Sequence, residues 1–127
     1  MRYLIDSWAW IEYLDGTKNG LKVKEILTQE NEVFTLILSL AEIISRAKRK
    51  EKDIEGVENA ILVNSKIINV NVEIAKNAGL LHAEMRKTIK DFGLIDAFVL
   101  LTARELKAKV LTGDKHFKNF KEAILIK

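Results

Sequence analysis

At 127 residues and 48% hydrophobic content, the chain has the length of one domain and enough apolar side chains to bury a core. It contains no cysteine, which excludes disulfides, thiolate zinc sites and cysteine nucleophiles together. Its 21 basic and 18 acidic residues leave a net charge of +3, which permits a polyanionic partner without demanding one.

In chain order, Tyr3-Leu4-Ile5 is a short buried strand. Asp6 follows it directly, and that charge ends the opening apolar run too early for a secretory leader. Ser7 to Leu14 reads as a helix, broken by Asp15-Gly16-Thr17-Lys18-Asn19-Gly20. Leu21 to Gln29 is a second helix, Val33 to Leu36 a strand, Ser39 to about Lys52 a helix, and Ile54 to Ser65 another. Ile67 to Val70 is a strand, Val72 to Lys87 and Leu94 to Lys107 are helices, and Val110 to Thr112 is a strand. A short helical turn and a last strand, Ile124 to Ile126, complete the pattern. No apolar run approaches the ~20 residues of a membrane span, so the expected address is the cytoplasm. No linker or repeat divides the chain, so one domain over 1–127 is expected. Strands alternating with helices predict an α/β fold with a mostly parallel sheet. Such sheets bind ligands beyond the carboxyl ends of their strands, where strand order reverses.

Four carboxylates fall there. Asp6 follows the first strand, and Asp114 lies two residues past Thr112. Glu42 opens the helix after the second strand, within Leu40-Ala41-Glu42-Ile43-Ile44, and Asp96 stands in the first turn of the apolar helix Leu94-Ile95-Asp96-Ala97-Phe98-Val99-Leu100-Leu101. Each also has a purely structural explanation. Asp6 can cap the first helix, Ser39-Leu40-Ala41-Glu42 fits a capping box, Asp96 complements a helix dipole, and Asp114 suits a turn. Those explanations are independent of one another, whereas one cation site accounts for all four. Burying a carboxylate without a partner is costly, and no lysine lies in these apolar runs to neutralise them. Hard oxygen ligands without cysteine or paired histidines suit Mg²⁺ or Mn²⁺ rather than zinc. His82 falls within a helix and reads as structural, while His116 is close enough to Asp114 to touch a phosphate.

These residues carry a resemblance to a known family. Asp6-Ser7-Trp8-Ala9-Trp10-Ile11-Glu12-Tyr13-Leu14, Ser39-Leu40-Ala41-Glu42, Ile95-Asp96-Ala97-Phe98-Val99-Leu100-Leu101-Thr102-Ala103 and Leu111-Thr112-Gly113-Asp114-Lys115-His116-Phe117 are similar, in order, to the four acidic motifs of the PIN-domain nucleases. Within that family the chain resembles the VapC-like toxins of toxin–antitoxin pairs. The resemblance implies a three-layer fold with a twisted sheet of strand order 3-2-1-4-5. It also implies a metal-dependent endoribonuclease whose acidic cluster is Asp6, Glu42, Asp96 and Asp114, with the Thr112 hydroxyl nearby. Asp91 precedes the third motif, but the match favours Asp96. The resemblance further implies a homodimer and a small antitoxin protein as partner.

An RNA substrate needs a basic rim. Arg46, Arg49 and Lys50 follow Glu42 at helical spacing, and Lys115, Lys118 and Lys121 follow Asp114. The first helix is apolar on two sides, so one side can face the sheet and the other a partner, unless the second helix covers it. Two other functions fit the class. A receiver-type signalling domain needs an Asp after its third strand, where this chain has Asn69-Val70-Asn71. A noncatalytic PIN-like RNA-binding module would have no need to keep all four acids.

Overall fold

The computed structural model describes residues 1–127. Strands β1 (Arg2–Ile5), β2 (Glu32–Leu36), β3 (Lys66–Ile68), β4 (Lys109–Thr112) and β5 (Ala123–Leu125) form one sheet in the order β3-β2-β1-β4-β5. All four pairings are parallel. Helices α1 (Ser7–Leu14), α2 (Gly20–Thr28), α3 (Ile37–Arg49) and α4 (Ile54–Asn64) precede β3, and α5 (Val72–Met85) and α6 (Leu94–Leu106) separate β3 from β4. A single 3-10 turn, Lys115–Phe117, follows β4.

The strands read as apolar runs because both faces of the sheet are covered. Leu4, Phe34, Leu36 and Val110 share one core with Val99, Leu100 and Ala103 of α6. Ile5 and Leu111, one residue further along their strands, share a second core with Ala9 and Trp10 of α1, Val23 of α2, Ile43 of α3 and Ile61 of α4. Successive strand residues point to opposite faces, so two adjacent apolar residues per strand build two cores at once. The result is the helix–sheet–helix layering expected from the alternation.

The helix after β2 begins earlier than its sequence suggests. β2 runs into α3 without a loop, and the N-cap position belongs to Leu36, which offers no side-chain cap. Ser39 is therefore the third residue of the helix, buried, with a hydroxyl that finds no hydrogen-bond partner. The capping box that would have explained Ser39 and Glu42 in structural terms alone does not form, because Ser39 lies inside the first turn and not at the N-cap.

The second side of α1 is also covered. Trp10 is fully buried, and Val23 of α2 belongs to the same core. Its indole Nε1 donates to the Thr35 hydroxyl at 3.0 Å. The Thr35 and Ser65 hydroxyls lie 2.7 Å apart, and Ser65 donates to the Ile61 carbonyl at 2.8 Å. This polar chain lets an indole be buried without leaving its N–H unsatisfied. Gly20 allows the close approach of α2 to α1, since a Cβ there would lie 2.4 Å from the Glu12 carbonyl oxygen.

Strand order reverses between β1 and β4, so the crevice beyond their carboxyl ends is the switch point. Ile5 pairs with Leu111, which sets Asp6 beside Thr112. The Asp6 N–H continues the ladder by donating to the Leu111 carbonyl at 3.1 Å.

Candidate metal centre

Asp6 leaves β1 in an extended conformation and caps α1, its Oδ1 accepting from the Ala9 N–H at 2.9 Å. Its Oδ2 accepts a short hydrogen bond from the Thr112 hydroxyl. That hydroxyl in turn accepts from the Asp114 N–H at 3.0 Å, so Thr112 couples the end of β1 to the turn after β4. Asp114 caps the 3-10 turn through Oδ1, which accepts from the His116 N–H at 2.9 Å. Asp96 is the third residue of α6, and its Oδ2 reaches back to the Gly93 N–H at 3.0 Å. Capping and clustering thus coexist in Asp6, Asp96 and Asp114. The caps orient the carboxylates, and Asp96 and Asp114 each keep an oxygen that no backbone group engages.

The environment resists negative charge. Burial pushes the Asp6 carboxyl up to about 7 against the hydrogen bonds from Thr112 and Ala9, and the charges of Asp96 and Asp114 add to the rise. Burial likewise raises Asp96 to about 6, opposed by the Gly93 N–H and reinforced by Asp114. Glu42 is raised by partial burial, moderated by the Ser7 hydroxyl, which donates to its Oε1 at 3.1 Å. The charge of Glu42 adds a small further rise at Asp96. None is ion-paired with a lysine or arginine.

The basic group nearest the acids is His116. Its Nδ1 lies 3.1 Å from Asp114 Oδ1 and 4.0 Å from Asp96 Oδ2, and its Nε2 lies 3.0 Å from Asp91 Oδ1. One donor atom each from Asp96, Asp114 and His116 can be chosen with all three within 4.8 Å of one another, a span that one cation can bridge.

The remaining residues singled out in the sequence are distributed less tightly. Glu42 is exposed and stands at the rim, tied to the site through Ser7. Arg46 turns away from it and pairs with Asp15 at 3.1 Å, fastening α3 to the end of α1. Arg49 and Lys50 are exposed, about 10–12 Å along the helix axis from Glu42. Lys115 is exposed beside Asp114. His82 bonds through Nε2 to the Phe92 carbonyl at 3.0 Å and takes no part in the acidic cluster.

Three contributors escape sequence reasoning. Ser7 orients Glu42, and only its place next to Asp6 hints at that. Gly113 lies under the Trp8 ring, where a Cβ would be 2.0 Å from a ring carbon, so only glycine lets the turn carrying Asp114 close on α1. Asp91 is exposed in the loop just ahead of Asp96, and its link to the site runs through His116, which sequence spacing does not reveal.

The fold is shared with solved structures of low sequence identity. A toxin–antitoxin complex from Klebsiella pneumoniae contains a chain 21% identical, with TM-score 0.79 and coverage of 98% of both chains. VapBC2 from Rickettsia felis, bound to a DNA fragment from its promoter, gives 21% identity and TM-score 0.74 over 98% of this chain and 97% of that one. The sarcin–ricin loop cleaving toxin VapC20 from Mycobacterium tuberculosis gives 15% identity and TM-score 0.73 over 91% and 92% of the two chains. No curated protein sequence is significantly similar to the chain. The PIN domain family model matches residues 3–123, a stretch that runs from β1 to the first residue of β5 and takes in all four acids, and on that match the chain belongs to the PIN domain family.

Proposed function

We propose that the chain, as a single PIN domain, is a Mg²⁺- or Mn²⁺-dependent endoribonuclease and the toxin of a toxin–antitoxin pair. The observation that carries the reading is the convergence of Asp6, Asp96 and Asp114 at the switch point, two of them buried enough to resist ionisation and none paired with a lysine or arginine. A divalent cation fits that donor set, because oxygen ligands of this number and charge suit Mg²⁺ and Mn²⁺. Asp6, Asp96 and Asp114 would hold it, with Glu42 closing the rim. When bound, such an ion lowers the pKa of water and offsets charge on a phosphodiester.

The protein's own part is positioning. Thr112 fixes Asp6 and Asp114 relative to each other, the Gly93 N–H fixes Asp96, and Ser7 fixes Glu42. Asp96 Oδ1, which no backbone group engages, would be free to orient the attacking water beside the ion. Lys115, Arg49 and Lys50 supply a loose basic rim for the phosphate backbone, to which Arg46 contributes less because it is already paired. RNA as substrate is supported by the neighbour named as a sarcin–ricin loop cleaving toxin, and an antitoxin partner by the neighbours solved as toxin–antitoxin complexes. A cytoplasmic address belongs to the same proposal, and no helix is long and apolar enough to cross a membrane.

The test is cleavage of single-stranded RNA with Mg²⁺ or Mn²⁺, with and without EDTA. Activity should vanish in EDTA, and Asp6→Asn should lower the rate at least ~100-fold through loss of a ligand. Full activity in EDTA would overturn the metal mechanism.

A further inference from the structure

The acidic motifs account for the carboxylates but leave the Asp91–His116 pair unexplained. Asp91 lies on the exposed loop before α6, and its Oδ1 is 3.0 Å from His116 Nε2. An ionised carboxylate can only accept in that bond, so Nε2 donates to Asp91 and Nδ1 is the ring nitrogen turned towards the acids. Nδ1 is buried and has no hydrogen-bond partner. Asp114 Oδ1 is close to it at 3.1 Å, but the two form no hydrogen bond, and Asp96 Oδ2 is 4.0 Å away. An orphaned buried nitrogen between two carboxylates is costly unless something fills the space between them.

The distances suit a shared ion, because one donor atom each from Asp96, Asp114 and His116 lies within 4.8 Å of the others, with Nδ1 3.1 Å from Asp114 Oδ1 and 4.0 Å from Asp96 Oδ2. The arrangement also has the form of a metal-bound histidine whose other ring nitrogen is held by a carboxylate, which sets the tautomer and aims the lone pair.

We propose that His116 is a nitrogen ligand of the centre through Nδ1, that Asp91 is the positioning residue that orients it, and that the mixed nitrogen–oxygen site prefers Mn²⁺ to Mg²⁺. The inference rests on the metal-dependent reading given above. Mg²⁺ takes oxygen ligands and keeps its waters, so it gains little from an imidazole, whereas a transition ion accepts one. Asp91 then has a function that its exposed position conceals.

The chain has only two histidines, which makes the assignment clean. The experiment is pulsed electron paramagnetic resonance of the Mn²⁺-loaded protein, with Mn²⁺ and Mg²⁺ affinities measured by calorimetry. Wild type should show coupling to a directly bound nitrogen, and ¹⁵N-histidine labelling should convert the ¹⁴N pattern into a ¹⁵N one without any substitution. The coupling should survive His82→Gln and disappear in His116→Gln. His116→Gln should weaken Mn²⁺ binding ~10–100-fold and Mg²⁺ binding no more than ~3-fold. Asp91→Ala should weaken Mn²⁺ binding about 10-fold with an unchanged metal-free melting temperature, and Asp91→Asn, whose carbonyl still accepts from Nε2, should restore most of it. Mn²⁺ bound without nitrogen coupling, at an affinity His116→Gln does not alter, would overturn the histidine ligand and leave the carboxylate centre standing. No Mn²⁺ binding by wild type would overturn both.

Discussion

Asp6 is the residue whose chemistry is most altered by folding. Its carboxyl titrates at about 7 in the folded chain against an ordinary value of 3.8. Between those values the folded state holds the proton more tightly than the unfolded state. The contribution of Asp6 to metal-free stability is therefore most favourable below about pH 4, falls as pH rises towards 7, and then levels off, by at most about 1.4 kcal/mol per pH unit. The metal-free protein should melt at a higher temperature at pH 5 than at pH 8, and Asp6→Asn should flatten that difference. An equally steep fall in the variant would show that other groups carry it. Glu42 poses a different question, because it is exposed at the rim and is the last and smallest of the influences on Asp96. Glu42→Gln should change metal-free stability by less than about 0.5 kcal/mol, yet the rise in melting temperature on adding Mn²⁺ should be smaller than in wild type. If the Mn²⁺-induced rise is intact, Glu42 is not a ligand and three acids hold the ion.

Among the elements, α3 and the turn after β4 show how local pattern yields to packing. The start of α3 two residues before Ser39 carries that hydroxyl into the interior, where it bonds to nothing. Ser39→Ala removes a buried unsatisfied group and should leave thermal stability unchanged or raise it by up to about 1 kcal/mol. A true N-cap would lose about 1 kcal/mol on the same substitution, so calorimetry separates the two roles by sign. The turn after β4 depends on contact with another element altogether. Trp8 occupies the space that a side chain at position 113 would need, and the next residue, Asp114, donates its N–H to the Thr112 hydroxyl that also binds Asp6. The first helix thus supplies both an acid at its N-cap and the ring that sets the position of the fourth acid.

At the scale of the whole molecule, both faces of the sheet are filled, yet apolar side chains remain outside. Leu62 and Val63 on α4 are 46% and 82% exposed, and Val72 and Leu80 on α5 are 86% and 62% exposed. Trp10 is no longer available to a partner, which leaves half-buried Trp8, Tyr13 and Leu14 as the accessible part of α1. Apolar surface of this kind favours association. The purified chain should sediment as a dimer at micromolar concentration, and a single monomeric species would count against the homodimer.

The alternation of elements was legible in the sequence because it depends on local periodicity, and the parallel sheet follows from that alternation. The four acids stood out because each lies just past a strand or in an apolar helical run, where a charge is anomalous whatever the details of the fold. The strand order came from the family resemblance, and all four pairings agree with it. Only the tertiary structure decided the rest. The bond from Thr112 to Asp6 spans 106 residues, and that from His116 to Asp91 spans 25. The first exists because β1 and β4 pair with Ile5 opposite Leu111, and the pairing of Arg46 with Asp15 rather than Glu42 follows from how α3 lies against α1. Composition and spacing report what each short segment favours. Register and helix packing are set by the simultaneous filling of two cores, and no local window contains that information.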